Sequence, residues 1–263
     1  MEFKSRNGVR LAYVESGAGD PAILLVHGMQ CNHAHMLELM KHLSSRNRVV
    51  AVDLRGHGAS DRPHSAYTNE EFGEDLMFLC REFGVERPIG IGHSFGGSLL
   101  LWLAANRPEF LAGIILLDSG VRMLKNKVGE LGGVYKMTRD ESREFLGDRL
   151  FGQDDPPALR ARVLDEMFSI PDHVIDSMRR TVLGFDSGKA ALEIQVPALL
   201  LMADKPFTDN ETLASLGPFW RTGKVVGAGH FIQLVAPDQV NAMIDRFFDI
   251  VFPLANPASE LGE

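Results

Sequence analysis

Gly92-His93-Ser94-Phe95-Gly96-Gly97 is the stretch whose reading decides the fold. The residues before it, Arg87-Pro88-Ile89-Gly90-Ile91, read as a short buried strand, and Ser98 to Ala105 are apolar helix formers. A strand that breaks directly into a helix, with glycines on both sides of one serine, holds that serine in a strained turn. The turn exposes the hydroxyl at the end of a sheet and sets it over the positive N-terminus of the next helix. Ser94 is therefore a candidate nucleophile, and the rest of the chain should supply a base, an acid and donors for a developing oxyanion.

Upstream, residues 2–5 and 9–16 read as a hairpin turning on Asn7-Gly8. Ala22–Val26 is a continuous apolar run of strand length, as expected of a central parallel strand covered on both faces, and it ends in His27-Gly28-Met29-Gln30. A helix is predicted over about 33–46, then a strand over 49–52 that closes on the glycine-rich Asp53–Ser60, then a helix over about 69–83. Downstream, 113–117 is a strand ending at Asp118, and the next comparable strand is 198–202. A right-handed crossover needs only a dozen or so residues, so the stretch between them holds an insertion, with helical segments at about 121–137, 140–150, 156–168 and 171–183. A helix at 210–217, a strand at 224–226, the loop Gly227-Ala228-Gly229-His230 and a helix at 237–250 complete the pattern. Strand–helix alternation predicts a three-layer α/β fold, mostly parallel with an antiparallel N-terminal hairpin, whose ligands meet the carboxyl ends of the strands.

Composition narrows the function. With 263 residues, 45% hydrophobic and 24% charged, the chain suits one globular domain with an insertion. A net charge of −8 speaks against nucleic acid as a partner. Cys31 and Cys80 stand far apart in no metal or redox spacing, which fits a reducing compartment. No apolar run approaches a membrane span, and the polar N-terminus does not read as a signal peptide. The expectation is a cytoplasmic protein, monomer or homodimer, that binds a small-molecule substrate. Gly90-x-Gly92-x-x-x-Gly96 lacks the context of a dinucleotide turn, and His33-x-His35 lacks further ligands at metal spacing. No cofactor and no metal are expected.

Four motifs, each at a predicted strand end, together resemble the α/β-hydrolase superfamily: His27-Gly28; Asp53-x-Arg55-Gly56-His57-Gly58-x-Ser60; Gly92-His93-Ser94-Phe95-Gly96-Gly97; and Gly229-His230-Phe231. The resemblance covers about 1–120 and 190–252 as the hydrolase core. It makes 121–189 a helical cap and leaves 253–263 as a loose tail. It implies Ser94 as nucleophile, His230 as its base, and the backbone N–H groups of Met29 and Phe95 as the oxyanion hole. His93 is implied to pack behind the elbow, and Asp53 and His57 to shape a loop. For the acid, the family's usual Gly-x-x-Asp after the strand at 198–202 is here Ala203-Asp204-Lys205-Pro206, with proline where the aspartate would stand. Two carboxylates stay open, Asp118 at the tip of the preceding strand and Asp204 two positions early. The cap's methionines and phenylalanines, from Met123 to Phe185, favour an apolar slot above Ser94. The expected activity is hydrolysis of a moderately apolar ester or lactone through an acyl-enzyme. The alternative is carbon–carbon bond hydrolysis, perhydrolysis or cofactor-free dioxygenation with His230 as base.

Overall fold

A computed structural model describes residues 1–121 and 137–252. Eight strands form one sheet: β1 (Glu2–Arg6), β2 (Val9–Ser16), β3 (Ile23–Val26), β4 (Val49–Val52), β5 (Ile89–His93), β6 (Gly113–Leu117), β7 (Ala198–Met202) and β8 (Trp220–Lys224). Their spatial order is β1-β2-β4-β3-β5-β6-β7-β8. The hairpin β1–β2 and the β2–β4 pair are antiparallel, and every pair from β4 to β8 is parallel. Strands β3, β4, β6 and β7 read as apolar runs because both faces are covered. Leu24 and Val26 of β3 enter one core with Leu116 of β6 and Leu200 of β7, whereas Ile23 and Leu25 enter the other with Leu117 and Leu201.

Helices pack on both faces. On the first lie α2 (Asn69–Glu82), through Phe72 and Leu76, and α3 (Phe95–Asn106), through Leu99 and Leu103. On the second lie α1 (Leu37–Leu43), through Leu39 and Leu43, and the last helix, Pro237–Val251, through Val240, Ile244 and Phe247. Between β6 and β7 stand α4 (Arg139–Leu150), α5 (Pro157–Met167), α6 (Asp172–Gly184) and α7 (Ser187–Glu193). These helices are tied to the loops at the strand ends. Leu150, Phe151, Val163, Leu164 and Met167 form a third apolar cluster with Cys31 and Phe231. Gln30 Nε2 donates to the Met167 carbonyl at 3.0 Å, and His35 Nε2 lies 2.5 Å from Glu166 Oε2. Two short helices, α8 (Asn210–Ser215) and α9 (Ile232–Val235), precede α10, which is Pro237–Val251.

Some sequence expectations need correction. The last strand is Trp220–Lys224, not 224–226. Among the described residues it is a sheet edge paired only with β7, so Arg221 and Thr222 stay exposed and leave no apolar signature. The apolar Val225-Val226 pair lies just beyond it, and Val226 is 70% exposed. The helix expected over 33–46 is a 3₁₀ turn, His33–Met36, leading into α1, which stops at Leu43. The strand before Ser94 runs to His93, and α3 starts at Phe95, so Ser94 alone makes the turn. The helix expected at 210–217 ends at Ser215. The helices α7 and α9 are too short to show a periodicity. Nearly all of the expected helical segment 121–137, and the whole tail 253–263, fall outside the described residues.

Register puts the chemistry on one edge. Val26 faces Gly92, His93 faces Leu117, and Leu117 faces Leu201. The residues that follow β3, β5, β6 and β7 thus emerge at one level. At the turn itself a Cβ on Gly92 would stand 2.5 Å from the Gly96 carbonyl carbon, and one on Gly96 would run into the Val26 and His27 carbonyls. These are backbone atoms and cannot swing aside, so Gly96→Ala is expected to lower stability by about 2–3 kcal/mol, as overpacking does. Chemical denaturation checks this: the midpoint should fall, and an unchanged midpoint would show that the crossing of β3 and α3 is looser than described.

Candidate active site

Ser94 occupies the single-residue turn between β5 and α3 at φ 50°, ψ −115°, outside the ordinary range for a residue with a side chain. Its N–H donates to the Leu117 carbonyl at 3.0 Å, which ties the turn to the end of β6. Such stored backbone strain is a recurrent property of functional turns.

His230 lies between β8 and α9, and its backbone is held on both sides. Its N–H donates to the Leu150 carbonyl of α4 at 2.7 Å. Its own carbonyl accepts from His93 Nε2 at 3.0 Å. The preceding Gly229 N–H donates to Asp155 Oδ1 at 3.1 Å, and Asp155 Oδ2 accepts from the Gly152 N–H at 2.9 Å. Asp155, between α4 and α5, therefore joins the insertion to the histidine loop. Nothing in the sequence singled it out; an Asp-Asp-Pro run between helices reads as an ordinary loop.

The side chain of His230 donates from Nδ1 to Asp118 Oδ2 at 2.7 Å, with both groups buried. The other oxygen, Oδ1, accepts from the Ala203 N–H at 3.0 Å. Asp118 itself has a left-handed backbone, φ 43°, and its N–H donates to the Leu201 carbonyl at 2.7 Å. The carboxylate is thus clamped across the ends of β6 and β7. By holding the proton on Nδ1 it leaves Nε2 with a lone pair. Asp204 goes elsewhere. Its side chain is 48% exposed, accepts from the Gly227 N–H at 3.0 Å, and faces Lys224 Nζ at 3.7 Å. Of the two carboxylates left open by the sequence, Asp118 meets the imidazole and Asp204 braces the loop leading to it.

Ser94 and His230 line one cavity with Gly28, Met29, Phe95 and Phe231. No hydrogen bond joins Ser94 Oγ to His230, as is common before a substrate tightens such a pair. A Cβ on Gly28 would stand 3.2 Å from Ser94 Cβ, so the His27–Gln30 loop runs close beside the serine. Among the described residues the Met29 and Phe95 N–H groups have no acceptor. Phe95 is the first residue of α3, where a helix leaves its N–H unused. The arrangement can therefore offer a hydroxyl, an imidazole lone pair and two unused backbone donors to one bound molecule. From the insertion, Phe145, Met167 and Phe185 line the cavity, whereas Phe151 and Met178 are buried in the apolar clusters. Met123 lies outside the described residues.

The other motif histidines serve the frame. His27 Nδ1 donates to the Gly28 carbonyl at 2.7 Å, and its Nε2 accepts from the Leu54 N–H at 3.0 Å. His57 Nδ1 donates to the Arg55 carbonyl at 2.9 Å. Asp53 accepts from His33 and from the Ala59 N–H, so the Asp53–Ser60 loop is knitted to itself and to η1, the 3₁₀ turn His33–Met36. Burial pushes His27 down to about 3, with the nearby His57 adding to the effect, and pushes His57 down to about 4. Burial and the neighbouring His230 likewise hold His93 well below its ordinary value. Each ring is neutral when folded and takes up a proton when unfolded below about pH 6.5. Their stabilising contribution is complete above that value and is lost as pH falls toward the folded values, at about 1.4 kcal/mol per pH unit for each ring. Thermal midpoints should therefore drop steeply from about pH 6.5 to 4.5. A flat profile would contradict burial of the three neutral rings.

A sequence profile described as the alpha/beta hydrolase fold matches residues 21–144, which include Ser94 and Asp118. An uncharacterized protein of Mycobacterium tuberculosis is 33% identical over 120 residues, and this match takes in 46% of the present chain and 35% of the relative. The matched segment thus spans about a third of the length of that relative. The 2-(acetamidomethylene)succinate hydrolase of Mesorhizobium japonicum is 26% identical over 267 residues, covering 89% of this chain and 90% of its own. Among solved structures, Est816, described as an N-acyl homoserine lactone degrading enzyme, superposes with a TM-score of 0.83 at 23% identity, covering 94% of this chain and all of Est816. Among the described residues no helix is long and apolar enough to cross a membrane.

Proposed function

We propose that this chain is a serine hydrolase of the α/β-hydrolase superfamily that cleaves a carboxylic ester or lactone. The observation that carries the reading is the 2.7 Å contact between His230 Nδ1 and Asp118 Oδ2, in a cavity that Ser94 also lines. A serine hydroxyl is a weak nucleophile until a base accepts its proton, and Nε2 of His230 is the lone pair available for that task. Ser94 Oγ attacks the carbonyl while Nε2 takes the proton, and the Met29 and Phe95 N–H groups receive the negative charge on oxygen. The imidazolium, stabilised by Asp118, returns the proton to the departing alkoxide, which leaves an acyl group on Ser94. Water then repeats the cycle and releases the acid. For a lactone the alcohol and acid stay in one molecule.

The apolar wall of Phe145, Met167 and Phe185 supports a substrate with a hydrocarbon body rather than a sugar or a peptide. The relatives named above as a lactone-degrading enzyme and a succinate-derivative hydrolase agree with hydrolysis of a small molecule. A panel of aryl esters and γ- and δ-lactones, followed by acid release, tests the proposal. Turnover of at least one class, favouring longer acyl chains over acetyl, is the expected result. A folded enzyme that leaves the whole panel intact but cleaves a β-diketone, or consumes oxygen with an enolisable substrate, would make His230 a base acting on carbon instead.

A further inference from the structure

Resting on that hydrolase reading, we infer that the substrate carries a carboxylate, received by Arg149 at the wall of the Ser94 cavity. Among the described residues that line this cavity, Arg149 is the one permanently charged side chain; no aspartate, glutamate or lysine shares the wall. Its surroundings explain why it stands ready for an anion. The other arginines of α4 and α5 each face a carboxylate: Arg139 faces Asp172, Arg143 Asp165, Arg160 Asp148 and Arg162 Glu166. Arg149 faces none among the described residues. Among the described residues its hydrogen bond runs from Nη1 to the Lys205 carbonyl at 3.3 Å, and its guanidinium carbon sits 4.0 Å from the centre of the Phe207 ring. A guanidinium seated over an aromatic ring is restrained in place by the ring's negative face, and its planar fork of donors suits bidentate capture of a carboxylate.

The position relates this cation to the reacting groups. The Phe207 ring that carries Arg149 also meets the His230 imidazole, with ring centroids 4.9 Å apart and planes at 70°. One aromatic ring therefore touches both the cation and the base. Leu150, the next residue of α4, holds the His230 N–H through its carbonyl. The anion site and the base are built from the same end of one helix and the same ring. A molecule whose scissile carbonyl lies at Ser94 and whose hydrocarbon part lies along the apolar wall would bring a terminal carboxylate to Arg149. The net charge of −8 opposes an anion at long range, but that field decays over about 8 Å at physiological salt, whereas a direct contact with the guanidinium is screened less. The substrate class is thus an ester or lactone with an apolar body and an anionic end.

The test compares p-nitrophenyl hydrogen adipate with its methyl-capped, uncharged analogue in the wild type, Arg149→Gln and Arg149→Lys, with Arg160→Gln as a control for loss of one positive charge elsewhere. The readout is the ratio of kcat/KM for the anionic ester to that for the neutral one. A ratio well above one in the wild type, falling about 10- to 100-fold in Arg149→Gln, is expected from the loss of a charge-assisted hydrogen-bond pair. The ratio should fall less in Arg149→Lys and stay at the wild-type value in Arg160→Gln. An equal loss on both esters, or an unchanged ratio, overturns the anion site while leaving ester hydrolysis intact. Calorimetric titration with adipate, which needs no turnover, separates the two ideas: binding that Arg149→Gln abolishes, in a protein that cleaves no ester, would sustain the anion site and remove the hydrolase reading. No adipate binding by a wild type that also shows no anionic preference would remove the anion site outright.

Discussion

Ser94→Ala is expected to lower kcat for ester hydrolysis by about a million-fold, the scale of losing the nucleophile in a serine hydrolase. The effect should be this large because nothing nearby replaces the hydroxyl. Ser98, which also lines the cavity, is a full turn further into α3, and Cys31 is buried with its thiol pushed up by desolvation and held against the Met29 carbonyl. The turn is defined by Gly92 and Gly96 and by the Ser94 N–H bond to Leu117, not by the hydroxyl. Alanine should therefore keep the fold, and an unchanged thermal midpoint beside lost turnover would separate chemistry from stability. Activity within about tenfold of wild type would mean that the serine takes no covalent part.

The second large effect is expected at Asp118. Asp118→Asn should cut kcat by about ten-thousand-fold, because an amide can donate to Nδ1 and so favour the tautomer with its proton on the wrong nitrogen. The variant also disturbs the clamp to Ala203, so its circular dichroism and thermal midpoint need to be read with its kinetics. Asp204→Asn is the paired control. Its carboxylate touches the Gly227 N–H and Lys224, both away from the imidazole ring, and much of it is exposed. Kinetics close to wild type are expected there, with at most a small loss of stability from a weakened loop bond. Collapse of Asp204→Asn beside an active Asp118→Asn would reverse the assignment of the acid.

The sheet was legible in the sequence because parallel strands covered on both faces must be apolar throughout. Ile23–Val26, Val49–Val52 and Gly113–Leu117 accordingly stand out as short unbroken runs. The edge strand β8 carries no such demand, and Trp220–Lys224 was missed for that reason. The strained turn at Ser94 was legible because its glycines face backbone atoms that exclude any Cβ. The choice between Asp118 and Asp204 was not. Both follow neighbouring strands whose register sets Leu117 opposite Leu201, so position along the chain brings either carboxylate to the same edge. What separates them is the left-handed backbone of Asp118 and the Ala203 N–H that turns its carboxylate toward His230. Arg149, Phe207 and Asp155 were invisible for a related reason: each acquires its place only when the insertion packs on the strand ends.

The central claim is a covalent intermediate on Ser94, formed with His230 as base. Treatment with a fluorophosphonate followed by peptide mass mapping tests it most directly. The account predicts one adduct per chain, on the peptide that carries Ser94, formed far more slowly in His230→Ala. An adduct on another residue, or an unmodified Ser94 in a treated enzyme that goes on cleaving esters, would contradict it.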